Sequence, residues 1–206
     1  MLGLAKIIEI ETTEAKTYDH IRMIKNRIDR LDHLIKDILS YSFNKRTEIV
    51  PTFIDFNKVI FKTIENLEHI ETPKKIKFEV KVENQRPFHS DLQRIYTILE
   101  NLIGNAIKYH NPQQDVPFVK IGVTVTGENA KITVEDNGIG IEGDFLPKVF
   151  DMFYRISNNQ EGSGIGLYLV HETVKNIGGK ISVSSESGVG TIFTVVIKNF
   201  LNGGPN

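Results

Sequence analysis

Asp91-Leu-Gln-Arg-Ile95-Tyr-Thr-Ile98-Leu99-Glu-Asn101-Leu102-Ile103-Gly-Asn105-Ala106-Ile107-Lys108-Tyr109 is the stretch on which the reading of this chain turns. Ile95, Ile98, Leu99, Leu102, Ile103, Ala106 and Ile107 recur at helical spacing and fill one face. Ser90 or Asp91 offers an N-cap, and Asn111-Pro112 closes the segment after Tyr109. On the opposite side Asn101, Asn105 and Lys108 stand at i, i+4 and i+7 and so share a face. A solvated face accounts for such a pattern. Yet asparagine is a poor helix-interior residue, because its short amide competes for backbone hydrogen bonds, and two of them one turn apart need a reason. An amide oxygen can ligate Mg²⁺, and a lysine beside it can neutralise phosphate.

Downstream, the glycines are uneven: ten of the sixteen fall between Gly138 and Gly190. Asp136-Asn-Gly138-Ile-Gly140 directly follows a strand pattern. A carboxylate there can accept from an exocyclic amine, and the glycines let backbone approach a ligand closely. Gly138-Ile-Gly140-Ile-Glu-Gly143 also matches the dinucleotide fingerprint as a string of letters, but Pro147 and a long loop follow where a helix should open. A plain turn is the other reading. Gly162-Ser163-Gly164-Ile165-Gly166-Leu167 opens a helical pattern, and the free N–H groups of a helix start make an anion site. No Gly-Lys-Ser/Thr follows, so this is not a Walker A loop. A ligand-free hinge would look the same. Gly188-Val-Gly190-Thr191, alone, reads as a hairpin turn.

Upstream, Ile21, Ile28 and Ile35 repeat every seven residues, as do Ile24, Leu31 and Ile38, with Leu34 and Leu39 widening the stripe. The spacing predicts a long helix after the Thr12 and Thr13 caps, preceded by a short apolar segment, Leu2 to Ile10. A stripe of this width suits a four-helix bundle, which one helix and a stub can complete only as a dimer. His20 and His33 fall at the rim and outside of the stripe and read as solvated histidines. Strands are expected over 48–53, 76–82, 116–125, 131–134, 180–185 and 191–197, and further helices over 55–69 and 165–176. The expected class is α+β, a mixed, largely antiparallel sheet with helices grouped on one face.

Composition narrows the function. Twenty-five basic against twenty-six acidic residues leave no bulk field for nucleic acid or anionic lipid. The absence of cysteine removes disulfides, thiolate catalysis and thiolate metal sites, and no apolar run is long enough to span a membrane.

The order of the motifs says more than any one of them. Asn-x-x-x-Asn on a helix, Asp-x-Gly-x-Gly, Gly-x-Gly-x-Gly and Gly-x-Gly-Thr resembles the ATP-binding domain of sensor histidine kinases, in the superfamily that includes gyrase B and the heat-shock chaperones. The resemblance runs from about Phe53 to Lys198; Leu99–Tyr109 resembles the N box, and Phe150-Asp-Met-Phe-Tyr-Arg155 the F box. It implies a Bergerat-type two-layer sandwich with a mobile lid over ATP. By position it implies Asn105 as Mg²⁺ ligand, Lys108 and Arg155 on phosphates, Tyr109 beside the nucleotide and Asp136 on the adenine amine. Gly138, Gly140, Gly164, Gly166 and the adjoining Leu167 would shape pocket and lid, and Thr191 would lie near the base. Ser163 stands where the family commonly has threonine.

The resemblance further implies residues 1–46 as dimerisation and phosphotransfer helices and 47–200 as the ATP-binding domain, and the composition of Asn202-Gly-Gly-Pro-Asn206 predicts a disordered tail over 201–206. It implies a homodimer through the N-terminal helices, a response-regulator receiver domain as partner and a cytoplasmic site even where a parent protein is anchored, while charge balance and the lack of an apolar span predict no nucleic acid or membrane contact by this chain. The acceptor pattern of histidine, acidic residue and nearby proline is missing, since only His171-Glu172 pairs a histidine with an acid, within the helix after the lid. The acceptor is therefore expected upstream of Leu2. In hydrolytic members a glutamate at the position of Asn101 activates water. Asparagine cannot take that proton, and Glu100 is rotated by about 100° on the helix. Asn101 is thus expected at the reaction centre of a transfer to histidine rather than of hydrolysis, because neutral imidazole needs less activation than water. An ATPase and a non-catalytic scaffold with a decayed pocket are the competing readings.

Overall fold

The structure is a computed structural model that describes residues 15–68, 76–156 and 163–200. Its elements run α1 (Ala15–Arg46), β1 (Pro51–Phe53), α2 (Phe56–Glu68), β2 (Lys77–Asn84), β3 (His89–Asp91), α3 (Leu92–Lys108), β4 (Phe118–Val125), β5 (Asn129–Asp136), a 3-10 turn (Gly143–Lys148), α4 (Gly166–Asn176), β6 (Lys180–Glu186) and β7 (Gly190–Lys198). The expected Leu2–Ile10 segment, the Thr12 and Thr13 caps, the end of the second helix at His69, the side chain of His33 and the 201–206 tail lie outside the described residues.

Five strands form one sheet in the order β2-β4-β5-β7-β6. β2 runs parallel to β4, and the remaining ladders are antiparallel. Alternation decides the layers. Val119, Ile121, Val123 and Val125 of β4, Ala130, Ile132 and Val134 of β5, and Phe193, Val195 and Ile197 of β7 all point to one side and are buried. The apolar stripe of α3 covers them, joined by Phe56, Val59 and Ile60 of α2 and Val170 and Val174 of α4. Each Val, Leu, Ile or Phe among them contributes about 1.5–3 kcal/mol when fully buried, so this seam holds the two layers together. The other face is mostly polar, with Lys77–Glu79 at 2.9 Å, Lys81–Glu83 at 2.8 Å and Lys120–Glu135 at 3.6 Å, although Ile192 and Val196 of β7 are exposed on it.

Boundaries shift where side chains compete with the ladder. Residues 48–50 do not join β1, because the Val50 N–H donates to the Asp91 carboxylate (3.3 Å) instead. β5 outruns its expected span because its partner β7 continues the pairing from Asn129↔Lys198 to Asp136↔Thr191. That extension carries Asp136 on a strand end, with Thr191 directly opposite.

Helix α1 leaves Ile24, Leu31, Ile35, Ile38 and Leu39 exposed, whereas Ile21 is buried. His20 is exposed as well. The C-terminal end of α1 docks on the rest of the chain through Arg94, which is 3% exposed. Arg94 pairs with Asp91 (Nη1 to Oδ2, 2.6 Å), donates from Nε to Asn44 Oδ1 (2.8 Å) and from Nη2 to the carbonyls of Asn44 (3.1 Å) and Thr47 (2.8 Å). Asn44 also donates to Thr173 Oγ1, and its carbonyl accepts from Asn176 Nδ2 (3.1 Å), so α1, α3 and α4 meet at one buried polar joint. One turn earlier, the rings of Tyr41 and Tyr168 lie 5.7 Å apart.

Candidate functional site

Asp91 caps α3, accepting from the Arg94 N–H at 3.0 Å, and the buried apolar stripe fixes the helix rotation. Asn101, Asn105, Lys108 and Tyr109 consequently face a cavity of about 260 Å³. The Asn101 amide is oriented by its own helix and sits against the start of α4. Its Nδ2 donates to the Thr97 carbonyl at 2.8 Å, and its Oδ1 packs so close to the start of α4 that a Cβ on Gly166 would lie 2.6 Å from it. Lys108 Nζ sits 4.7 Å from the centre of the Tyr109 ring. Glu100 does not line the cavity, and burial raises its carboxyl above the usual range.

Asp136 enters the cavity from the end of β5. Burial pushes its carboxyl up to about 6, opposed by the backbone N–H groups of Gly138 (2.9 Å) and Thr191, with Glu135 adding repulsion. The loop that follows folds back under the base of the cavity. Ile139 N–H donates to the Tyr109 carbonyl at 3.0 Å, and Gly188 N–H to the Ile139 carbonyl at 2.8 Å. Two glycines permit this. A Cβ on Gly138 would stand 2.3 Å from the Tyr109 carbonyl oxygen, and Gly140 adopts φ +66 with the Glu186 carbonyl 1.9 Å from where its Cβ would be. Gly138 supports the cavity from behind and does not line it; Gly140 does.

The opposite end is built by Arg155, Ser163, Gly164, Gly166 and Leu167. Helix α4 starts here without a side-chain cap, and Ser163 Oγ accepts from Ile165 N–H at 3.1 Å just before it. Uncapped first-turn N–H groups, the helix dipole and the Arg155 cation make this end suited to anions, and Lys108 adds a second cation to the cavity lining. Thr191 completes the Asp136 end.

Twelve of the thirteen residues singled out in the sequence therefore line one cavity, Gly138 being the exception. Its apolar walls were not singled out: Ile139, Ile141, Val149, Tyr154, Ile156 and Phe193. The alternation of Ile139 and Ile141 around Gly140 was the available signal. Such walls suit a flat aromatic base, with few polar groups fixing its orientation. Asn105 offers an oxygen donor in the same cavity, and among the described residues no group of three His, Cys, Asp or Glu could hold a metal. A divalent cation here would share Asn105 with phosphate oxygens and water, which is the usual habit of Mg²⁺.

The family of histidine kinase-, DNA gyrase B-, and HSP90-like ATPases matches residues 90–200. Among curated proteins, the methanogenesis regulatory histidine kinase FilI of Methanothrix harundinacea is 33% identical, over 85% of this chain and 20% of its own length. The aerobic respiration control sensor protein ArcB of Escherichia coli K12 is 30% identical, over 96% of this chain and 26% of its own length. The chain thus spans about a fifth to a quarter of these relatives. Among solved structures, the Acinetobacter baumannii histidine kinase AdeS superimposes with a TM-score of 0.70 at 25% identity, covering 96% of this chain and 93% of that one. Full-length ShkA, crystallised with AMPPNP, superimposes with a TM-score of 0.73 at 23% identity, covering 96% of this chain and 42% of that one, a likeness of fold. With its mixed five-stranded sheet and its order of asparagine, aspartate and glycine boxes around one cavity, the chain belongs to the histidine kinase-, DNA gyrase B- and HSP90-like ATPase family.

Proposed function

We propose that this chain is the ATP-binding kinase core of a sensor histidine kinase, which presents Mg-ATP for transfer of the γ-phosphoryl group to a histidine and onward to a response-regulator aspartate. The observation that carries the reading is a single cavity with a carboxylate end, Asp136 beside Thr191, an end built by Arg155 and the α4 N-terminus, and Lys108 in its lining. Asp136 accepts from the adenine amine, and Tyr109 and the apolar walls enclose the base. Lys108, Arg155 and the first-turn N–H groups hold phosphate oxygens. Asn105 contributes an oxygen to Mg²⁺, whose charge would offset that of the phosphates.

Asn101 argues for transfer over hydrolysis. Its Nδ2 is engaged by the Thr97 carbonyl and its Oδ1 lies beside Gly166, and an amide, unlike a carboxylate, takes no proton from water. The exposed stripe of Ile24, Leu31, Ile35 and Ile38 supports a homodimer through the N-terminal helices, within residues 1–46, with 47–200 as the catalytic unit. Among the described residues no helix is long and apolar enough to cross a membrane.

Titration of the 206-residue chain with Mg-ATP, paired with a phosphate-release assay, tests the reading. Saturable binding without multiple-turnover phosphate release is expected. Steady release would overturn it in favour of an ATPase, and failure to bind would overturn it in favour of a decayed pocket.

A further inference from the structure

Ser185, on β6, lies directly opposite Thr191 in the β6–β7 ladder and is absent from the cavity lining. Its hydroxyl meets three groups. The Ile141 N–H donates to Ser185 Oγ at 2.8 Å, the Gly190 carbonyl lies 2.8 Å away, and Thr191 Oγ1 lies 2.9 Å away. A serine hydroxyl has one proton and two lone pairs. The carbonyl can only accept, so it takes the serine proton, and Ile141 takes one lone pair. A single lone pair remains for Thr191, whose own hydroxyl must therefore be the donor in that contact. With its proton committed backwards to Ser185, Thr191 presents only lone pairs to the cavity it lines.

We propose that Ser185 is a specificity-determining positioning residue, which fixes the polarity of the Thr191 hydroxyl so that the base end of the cavity accepts a 6-amino purine and rejects a 6-oxo purine. This deepens the proposed function and rests on the Asp136 end being the base end. Asp136 and Thr191 then form an acceptor pair matched to the two protons of an exocyclic amine. A 6-oxo group places an acceptor against acceptors, which costs discrimination because a buried polar group is left unmatched. Removing the Ser185 hydroxyl frees the Thr191 proton to turn toward the cavity, where it can donate to an oxo group. Ser185 also ties Ile141, and with it the loop after Gly140, to the sheet edge, a support that acts on all nucleotides alike.

The test compares ATP with inosine triphosphate, at matched Mg²⁺, by calorimetric competition on the 206-residue chain and its variants. Ser185→Ala is expected to reduce the ATP-over-inosine-triphosphate affinity ratio about tenfold, the worth of one hydrogen bond, and Ser185→Thr to restore it. Where the alanine variant does not fold, Ser185→Cys carries the same readout, since a thiol is a weak donor and acceptor. Equal loss of affinity for both nucleotides, with the ratio unchanged, would reduce Ser185 to a structural support and overturn the inference alone. A wild-type chain that binds neither nucleotide would overturn the base-end assignment and the inference with it.

Discussion

Replacing Asp136 by asparagine should make the nucleotide-free protein more stable while removing its affinity for ATP. The carboxyl is carried from 3.8 to about 6 chiefly by burial. Each pKa unit is worth 1.36 kcal/mol, so ionised Asp136 costs the empty fold about 3 kcal/mol at neutral pH. Asparagine removes that charge but has one acceptor oxygen for the N–H groups of Gly138 and Thr191, which returns about 1 kcal/mol. A net gain of about 2 kcal/mol raises the melting temperature by roughly 4–8 °C in a chain of this size. The pH dependence identifies the cause. Between about pH 4 and 6 the folded protein holds a proton at Asp136 that the unfolded chain has released, so the wild type loses stability as pH rises through this window. The variant's advantage is therefore absent near pH 4 and complete above about pH 6.5. Thermal unfolding of both proteins without nucleotide at a series of pH values is the assay, with calorimetry for ATP. A variant less stable than wild type at pH 7.5, or an advantage that does not change with pH, would refute the assignment of a desolvated carboxylate.

Two further substitutions probe the scaffold. Arg94→Met leaves the buried Asp91 carboxylate without its cation and takes the Nε–H donor from Asn44 Oδ1, and should lower unfolding free energy by about 3–5 kcal/mol in a urea titration. Gly140→Ala forces a side chain onto a backbone at φ +66 and against the Glu186 carbonyl; it should cost more than about 1 kcal/mol of stability by urea unfolding and abolish saturable binding in a titration with Mg-ATP.

What the chain disclosed in advance divides along physical lines. Periodicity located α3 and its polar face because helix geometry alone puts Asn101, Asn105 and Lys108 together. The glycine boxes were legible because few residues other than glycine tolerate the turns and close approaches seen at Gly138 and Gly140. Arg94 was not singled out, although it falls three residues after Asp91 and four before Ile98, on the stripe that becomes buried. Its partners Asn44 and Thr47 lie about fifty residues upstream, and no local pattern reports a contact of that range. Ser185 was missed for a similar reason. In a polar, alternating strand its hydroxyl resembles those of Ser182 and Ser184, and only the β6–β7 register sets it against Thr191. The heptads of α1 showed an apolar stripe without saying what covers it, since periodicity describes a face and not its neighbour.

The Arg94 joint and the cavity share helix α4. Its eleven residues span about 16 Å, with Gly166 and Leu167 in the cavity at one end and Asn176 bonded to the Asn44 carbonyl at the other. Val170 and Val174 in between are buried in the core. The bonds at the joint are unequal. Arg94 makes charge-assisted contacts worth about 1.5–3 kcal/mol each, and Asn44 meets both Arg94 and Thr173. The Tyr41–Tyr168 hydroxyl contact, at 3.5 Å, is far weaker. A displacement of α1 that respects this ranking gives way first at the tyrosines, which sit beside the first turn of α4, while the Asn44 end acts as a pivot. The part of α4 released first is then the part that lines the cavity, so the hierarchy of contacts places the weaker end of the α1–α4 interface beside the cavity and the stronger end away from it.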